Sequence, residues 1–101
     1  MFDGKIFLLV GGAGSLGRHL VEELIKPEYN TKAIRVLDNS ELNLARLQTR
    51  LGEDGSKVRY LLGDVHDASR LKFAAENVDI FINASAQKMV NFGEQNPFFS
   101  V

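Results

Sequence analysis

The sequence predicts an α/β fold, a doubly wound parallel sheet with the strand order 3-2-1-4. Three observations predict it. Short, nearly continuous apolar runs alternate four times with segments of helical periodicity. The links between them are short, as in repeated strand–helix–strand units. A glycine-rich loop stands between the first run and the first helical segment.

The elements follow in order. Lys5–Val10 is apolar almost throughout, as a parallel strand buried on both faces should be. A helix is expected from Ser15 to Lys26, with Leu16, Leu20, Val21, Leu24 and Ile25 recurring at helical spacing. Glu22 and Lys26 stand four apart in the favourable order, and Pro27 stops the helix. Ala33–Asp38 is the second strand. Ser40 is suited to cap a helix that ends near Leu51, with Leu44, Leu47 and Leu51 as its buried stripe and Gly52 in a left-handed C-terminal cap. After a polar turn over Glu53–Lys57, Val58–Leu62 is the third strand. Asp67 caps a third helix, whose Leu71, Ala74 and Ala75 share a face with Val78. Asp79–Ala84 is the fourth strand, and Asn96-Pro97 opens a further helix. A sheet that ended with this strand would leave an apolar edge unpaired. The expectation is therefore one incomplete domain over residues 1–101, completed by more sequence or by strands of another chain, with homo-oligomers expected.

Composition narrows the function classes. The chain is 45% hydrophobic and 25% charged, the profile of an ordinary globular domain. A net charge of -1 gives no broad basic surface for nucleic acid. No apolar run is long enough for a transmembrane helix, and the first strand lacks the features of a signal peptide. The absence of cysteine excludes disulfides, thiolate catalysis and zinc–cysteine sites, and fits a cytoplasmic location. His19 and His66 have no partners at metal-ligand spacing and read as surface residues, so no metal is expected. Phe92, Phe98 and Phe99 read as core or interface.

The chemistry lies at the ends of the strands. Gly11, Gly14 and Gly17 have the spacing of a Rossmann-type pyrophosphate loop. Gly11 permits the tight turn, Gly14 lets the backbone approach the pyrophosphate, and Gly17 lets the helix pack close to the sheet. The amides of Ala13, Gly14, Ser15 and Leu16 would face the anion at the positive end of the helix. The Walker A ending is absent, which argues against an ATPase. Asp38 ends the second strand about 20 residues beyond the loop, where an acid accepts from the adenosine ribose hydroxyls. Asn39, Ser40 and Glu41 follow it, with no Arg or Lys to meet a 2′-phosphate, so NAD is favoured over NADP. Asp64-Val65 could hold the adenine, although Gly63-Asp64 is also a common turn pair. Asn83-Ala84-Ser85-Ala86-Gln87-Lys88 follows the fourth strand; its small residues would admit the nicotinamide half. Lys88 would reach the cofactor ribose or an anionic substrate, unless it is a solvated surface lysine.

With these residues placed, the chain resembles the extended short-chain dehydrogenase/reductase superfamily through Val10–Gly17, Asp38 and Gly63-Asp64-Val65-His66-Asp67. Through Asn83–Val90 and Glu94-x-Asn96-Pro97 it resembles the polysaccharide-biosynthesis branch, the inverting UDP-N-acetylglucosamine 4,6-dehydratases. Val10 stands where the superfamily has Thr, Asn83 and Met89 where the branch has His, and Ser85 where it has Ala. The resemblance implies that Ala13–Leu16, Asp38–Ser40, Asp64, Val65 and Ala84 hold the dinucleotide, and that Lys88 touches both cofactor and UDP-sugar. The family's catalytic Tyr-x-x-x-Lys has no counterpart here: neither Tyr29 nor Tyr60 has a lysine four residues later. The chain is thus expected to contribute cofactor binding and no catalytic residue to a nucleotide-sugar dehydratase. A nucleotide-sugar epimerase or reductase, or a non-catalytic NAD-binding module, would share the same front half.

Overall fold

The computed structural model describes residues 2–84. Ser85, Lys88, Met89, the three phenylalanines beyond them and the helix expected at Asn96-Pro97 lie outside the described residues. The elements are β1 (Ile6–Val10), α1 (Ser15–Leu24), β2 (Ala33–Asp38), α2 (Glu41–Leu51), β3 (Val58–Leu62), α3 (Ala68–Ala75) and β4 (Ile80–Asn83). Short 3-10 turns at Pro27–Tyr29 and Gly52–Gly55 follow α1 and α2. All strand pairs are parallel and the order is β3-β2-β1-β4, as the alternation predicts.

Side chains that alternate along each strand divide the core between the two faces of the sheet. Phe7 and Leu9 of β1, Ile34 and Val36 of β2 and Val58 of β3 pack under α1 and α2, against Val21, Leu24, Leu44, Leu47 and Leu51. Leu8 and Val10 of β1, Leu37 and Leu61 pack on the opposite face against Ala74 of α3, with Leu71, Ala75, Val78 and Phe81 partly buried around them. Arg35 points to this second face from the middle of β2. Its Nη1 donates to the carbonyls of Ala74 (2.8 Å) and Glu76 (2.6 Å), supplying donors that the end of α3 lacks.

The N-terminal helix caps follow the sequence. The Ser40 hydroxyl accepts from the Asn43 amide (3.1 Å), and the Asp67 carboxylate accepts from the Arg70 amide (3.2 Å). Gly52 has a positive φ of 53°, but its ψ of -131° lies outside the left-handed helical region, so the expected left-handed cap is not formed. Two further expectations are corrected. Helix α1 ends at Leu24, two residues early, because Lys26 precedes a proline and is held extended at φ -62°, ψ 139°. Glu22 therefore does not pair with Lys26. It meets Arg50 of α2 and ties the two helices together, while Lys26 pairs with Glu23 at 2.9 Å. Strand β4 starts at Ile80 rather than Asp79, whose amide and carboxylate both close onto the Ile6 backbone at 2.8 Å.

Candidate functional site

The C-terminal ends of the strands form a cleft of about 380 Å³. Val10 leads into its floor at Gly11 and Gly14, Asp38 and Asn39 border it from β2, and Gly63 to His66 border it from β3. Ser15 and Leu16 enter from the first turn of α1, and Ala84 closes the β4 side. Nine of the expected site residues thus meet here: Gly11, Gly14, Ser15, Leu16, Asp38, Asn39, Asp64, Val65 and Ala84. Ala13, Gly17 and Ser40 do not line the cleft, and Lys88 lies outside the described residues. His66, read from the sequence as a surface residue, is exposed but borders the cleft; its place beside Gly63-Asp64 was the available signal.

The loop glycines have separable reasons. The Gly11 amide ends the β1–β2 ladder on the Leu37 carbonyl at 2.8 Å, and its positive φ of +74° then turns the chain out of the strand. A Cβ on Gly17 would lie 2.3 Å from the Cα of Gly12, so Gly17 packs on its own loop and not, as expected, on the sheet. Gly12, which the spacing argument passes over, makes the sheet contact instead: a Cβ there would meet Val36 Cγ1 at 2.9 Å and Leu9 Cβ at 3.0 Å. Gly14 has neither constraint. Its φ is -78°, and an added Cβ would make only an ordinary 3.5 Å contact with the Gly11 carbonyl. The bare backbone at Gly14 clears space in the cleft rather than in the core.

The amides are also divided differently from the expectation. The Ala13 amide donates to Asp38 Oδ2 at 3.2 Å, and the Gly14 amide donates to the Gly11 carbonyl at 3.2 Å. Ser15 and Leu16 carry the first-turn amides of α1 for which no intrahelical acceptor exists. They, rather than all four of Ala13–Leu16, are available to an anion.

Asp38 is 8% exposed. Its carboxylate accepts from Ala13 at 3.2 Å and, through Oδ1, from the Ser40 amide at 2.8 Å. Asp38 thereby fixes the glycine loop to the start of α2, and each oxygen keeps lone-pair capacity toward the cleft. Ser40 supplies its amide to Asp38 and its hydroxyl to the helix cap. On the β3 side the Asp64 carboxylate accepts from the His66 amide (2.8 Å) and its carbonyl from the Asp67 amide (2.9 Å), a compact Asx turn. The turn reading of Asp64 is thus observed, and the turn borders the cleft.

Neither tyrosine among the described residues supplies a base to the cleft. Tyr29 donates to Glu23 at 2.5 Å in the turn after α1, and this bond raises its pKa. Tyr60 is packed against the core under α2, where desolvation raises its pKa. Among the described residues no group of His, Asp and Glu could hold a metal ion, and no helix is long and apolar enough to cross a membrane. No basic residue immediately follows Asp38 in the sequence, but Arg18, Arg46 and Arg50 border a groove beside the loop from α1 and α2.

A family model described as polysaccharide biosynthesis protein matches residues 7–101. The chain belongs to that family. The inverting UDP-N-acetylglucosamine 4,6-dehydratase of Campylobacter jejuni is 35% identical over 97 residues, which cover 96% of this chain and 28% of that enzyme. An uncharacterized membrane protein of Methanocaldococcus jannaschii is 43% identical over 100 residues, covering 99% of this chain and 29% of that protein. The chain thus spans less than a third of the length of these relatives. Pen from Bacillus thuringiensis superposes with a TM-score of 0.79 at 31% identity, over 86% of this chain and 27% of that one. Other solved neighbours include NAD(P)-binding and short-chain dehydrogenase/reductase proteins, some in complex with NAD, and at 17–24% identity these show the shared Rossmann fold.

Proposed function

We propose that this polysaccharide-biosynthesis family member holds the dinucleotide of a nucleotide-sugar 4,6-dehydratase. The observation that carries the reading is the convergence, in one cleft, of the Gly14 backbone, the Ser15 and Leu16 amides, the Asp38 carboxylate and the Asp64-Val65 turn. The fit is chemical as well as spatial. A pyrophosphate needs bare backbone and amides at a helix N-terminus, a ribose diol needs a fixed acceptor, and an adenine needs an apolar contact beside an acceptor. Val65, partly buried against the α3 side of the core, supplies that contact. Asp38 favours the free 2′-hydroxyl of NAD over a 2′-phosphate.

The cofactor supplies reversible hydride uptake at C4 of the sugar, which permits loss of water across C5–C6. The chain's own share is orientation. Asp38 and the Asp64 turn hold the adenosine end, and the loop fixes the centre. The small residue Ala84 borders the β4 side, where the redox end would lie, and by resemblance Lys88 would touch both cofactor and UDP-sugar. The same reading places the cleft in the cytoplasm. The chain alone should bind NAD⁺ in titration calorimetry but give no 4-keto-6-deoxy sugar nucleotide from NAD⁺ and UDP-N-acetylglucosamine by mass spectrometry, because no tyrosine in it has a lysine four residues later. Absence of NAD⁺ binding would overturn the reading, and sustained turnover would mean that an unrecognised base lies within these residues.

A further inference from the structure

The turn that carries Asp64 and Val65 is closed from behind by Arg70, the third residue of α3. The Arg70 Nε donates to the Leu62 carbonyl at 3.0 Å. Its own amide donates to the Asp67 carboxylate at 3.2 Å, and the Asp67 amide donates to the Asp64 carbonyl at 2.9 Å. One residue thus joins the last residue of β3 to the far side of the turn, and Asp64 lies inside the ring that these bonds close. The Leu62 carbonyl needs such a partner. Among the described residues β3 is the outer strand of the sheet. The Gly63 amide turns inward to the Asp38 carbonyl at 3.0 Å, so the Leu62 carbonyl, across the same trans peptide unit, points off the edge. Arg70 supplies there the donor that a further strand would supply.

Gly63 is the seat of this side chain. It does not have a positive φ, so the course of the turn does not demand glycine. A Cβ at Gly63 would instead meet Arg70 Cγ at 2.6 Å and Arg70 Nε at 3.0 Å. The glycine makes room for the arginine stem. Beyond it the Arg70 guanidinium lies over the Phe73 ring, 5.3 Å from the centroid, which steadies the outer end of the side chain. Arg70 does not line the cleft, whereas Gly63, Asp64, Val65 and His66 do. It can act on a ligand only through the turn.

We infer that Arg70 is a positioning residue for nucleobase recognition, holding the Asp64 carboxylate where it meets the amino group of an adenine. This rests on the dinucleotide reading above. The His66 amide engages Asp64 Oδ1 at 2.8 Å, which leaves Oδ2 for a donor from the ligand. A hydrogen bond weakens steeply once donor and acceptor part beyond about 3.2 Å, so a turn released by Arg70 loses its choice of base before the sheet loses its fold. An Arg70 that merely stabilised α3 would instead affect every dinucleotide alike.

The test is titration calorimetry of the protein, Arg70→Met and Arg70→Lys with NAD⁺ and with nicotinamide hypoxanthine dinucleotide, whose base carries a carbonyl in place of the amino group. Circular dichroism checks folding. The protein should bind NAD⁺ about tenfold more tightly than the analogue, and Arg70→Met should bring the two affinities within about twofold. Arg70→Lys keeps a cationic donor on a long stem and should recover part of the preference. A preference unmoved by Arg70→Met, equal weakening of both dinucleotides, or a parent that binds both equally overturns the inference and leaves the dinucleotide reading intact. Failure of the folded protein to bind either overturns both. Phe73 is 52% exposed, so Phe73→Ala carries the test if Arg70→Met does not fold. It should narrow the preference by about threefold, and an unchanged preference again overturns the inference.

Discussion

The glycine loop separates two spaces of the same size, about 380 Å³ each, with opposite electrostatic character. The cleft presents Asp38 and Asp64 from strand ends; the groove presents three arginines from helix flanks. The cleft's acids are held by backbone donors: Asp38 by Ala13 and Ser40, Asp64 by His66. Among the described residues the groove's cations have a single carboxylate partner in Glu22. The contrast separates a side whose acids are pre-organised by backbone donors from a side where the Nε of Arg18 is buried without a partner among the described residues.

The largest way to break this contrast is through the wall itself. Gly17→Ala places a Cβ 2.3 Å from the Gly12 Cα, backbone against backbone, with no flexible side chain to yield. It should destabilise the fold by about 3 kcal/mol and disrupt cleft and groove together. Urea denaturation measures the loss; an unchanged midpoint would show that the loop relaxes freely.

A smaller effect sharpens the cleft side. Asp38→Ala leaves the amides of Ala13 and Ser40 without their acceptor, and should cost about 2 kcal/mol in the same assay. It should also weaken NAD⁺ more than NADP⁺, since it removes both the ribose acceptor and the charge that opposes a phosphate. A variant as stable as the parent would mean that Asp38 does not tie loop to helix.

The smallest effect lies on the groove side. The Arg50 hydrogen bond holds the Glu22 carboxyl below the usual glutamate range. A depressed carboxyl contributes stability above its unfolded pKa and loses it as pH falls through the folded one. The pair is exposed, so the contribution is small and salt-sensitive. Glu22→Gln should lower the urea midpoint slightly at pH 7, and the difference from the parent should shrink as the medium is acidified through the lowered Glu22 pKa. A difference that persists in acid would contradict the ion-pair assignment.

These contrasts also explain what the sequence discloses. Strand β1 is legible because burial on both faces writes the continuous apolar run Phe7–Val10, whereas β3 and β4 are only partly buried and are legible as short apolar runs in the strand–helix alternation. Ser40 and Asp67 are legible as caps because capping is local. Asp38 and the Asp64 turn are legible because strand ends in this topology fall at fixed distances from the glycine loop. The groove is not legible, because Arg18, Arg46 and Arg50 meet only once α1 and α2 pack side by side on the sheet. The exchange of Lys26 for Arg50 as partner of Glu22 has the same origin, since tertiary proximity displaced a rule of helix spacing that the Pro27 boundary had already voided. Gly12 escaped notice because its constraint is the closeness of Leu9 and Val36 and not a motif position. The use of the Ala13 amide by Asp38 is likewise a contact between distant segments, invisible to spacing.

The central claim is that the cleft binds a dinucleotide over the bare backbone of Gly14, and its most direct test compares Gly14→Val with the parent by NAD⁺ titration calorimetry. Gly14 is the one loop glycine with neither a positive φ nor internal crowding, so the substitution fills the cleft and leaves the core alone. The account predicts loss of NAD⁺ affinity by at least tenfold, with stability reduced by no more than about 1 kcal/mol from the change at the helix N-cap. Equal NAD⁺ affinity for the two proteins would contradict it.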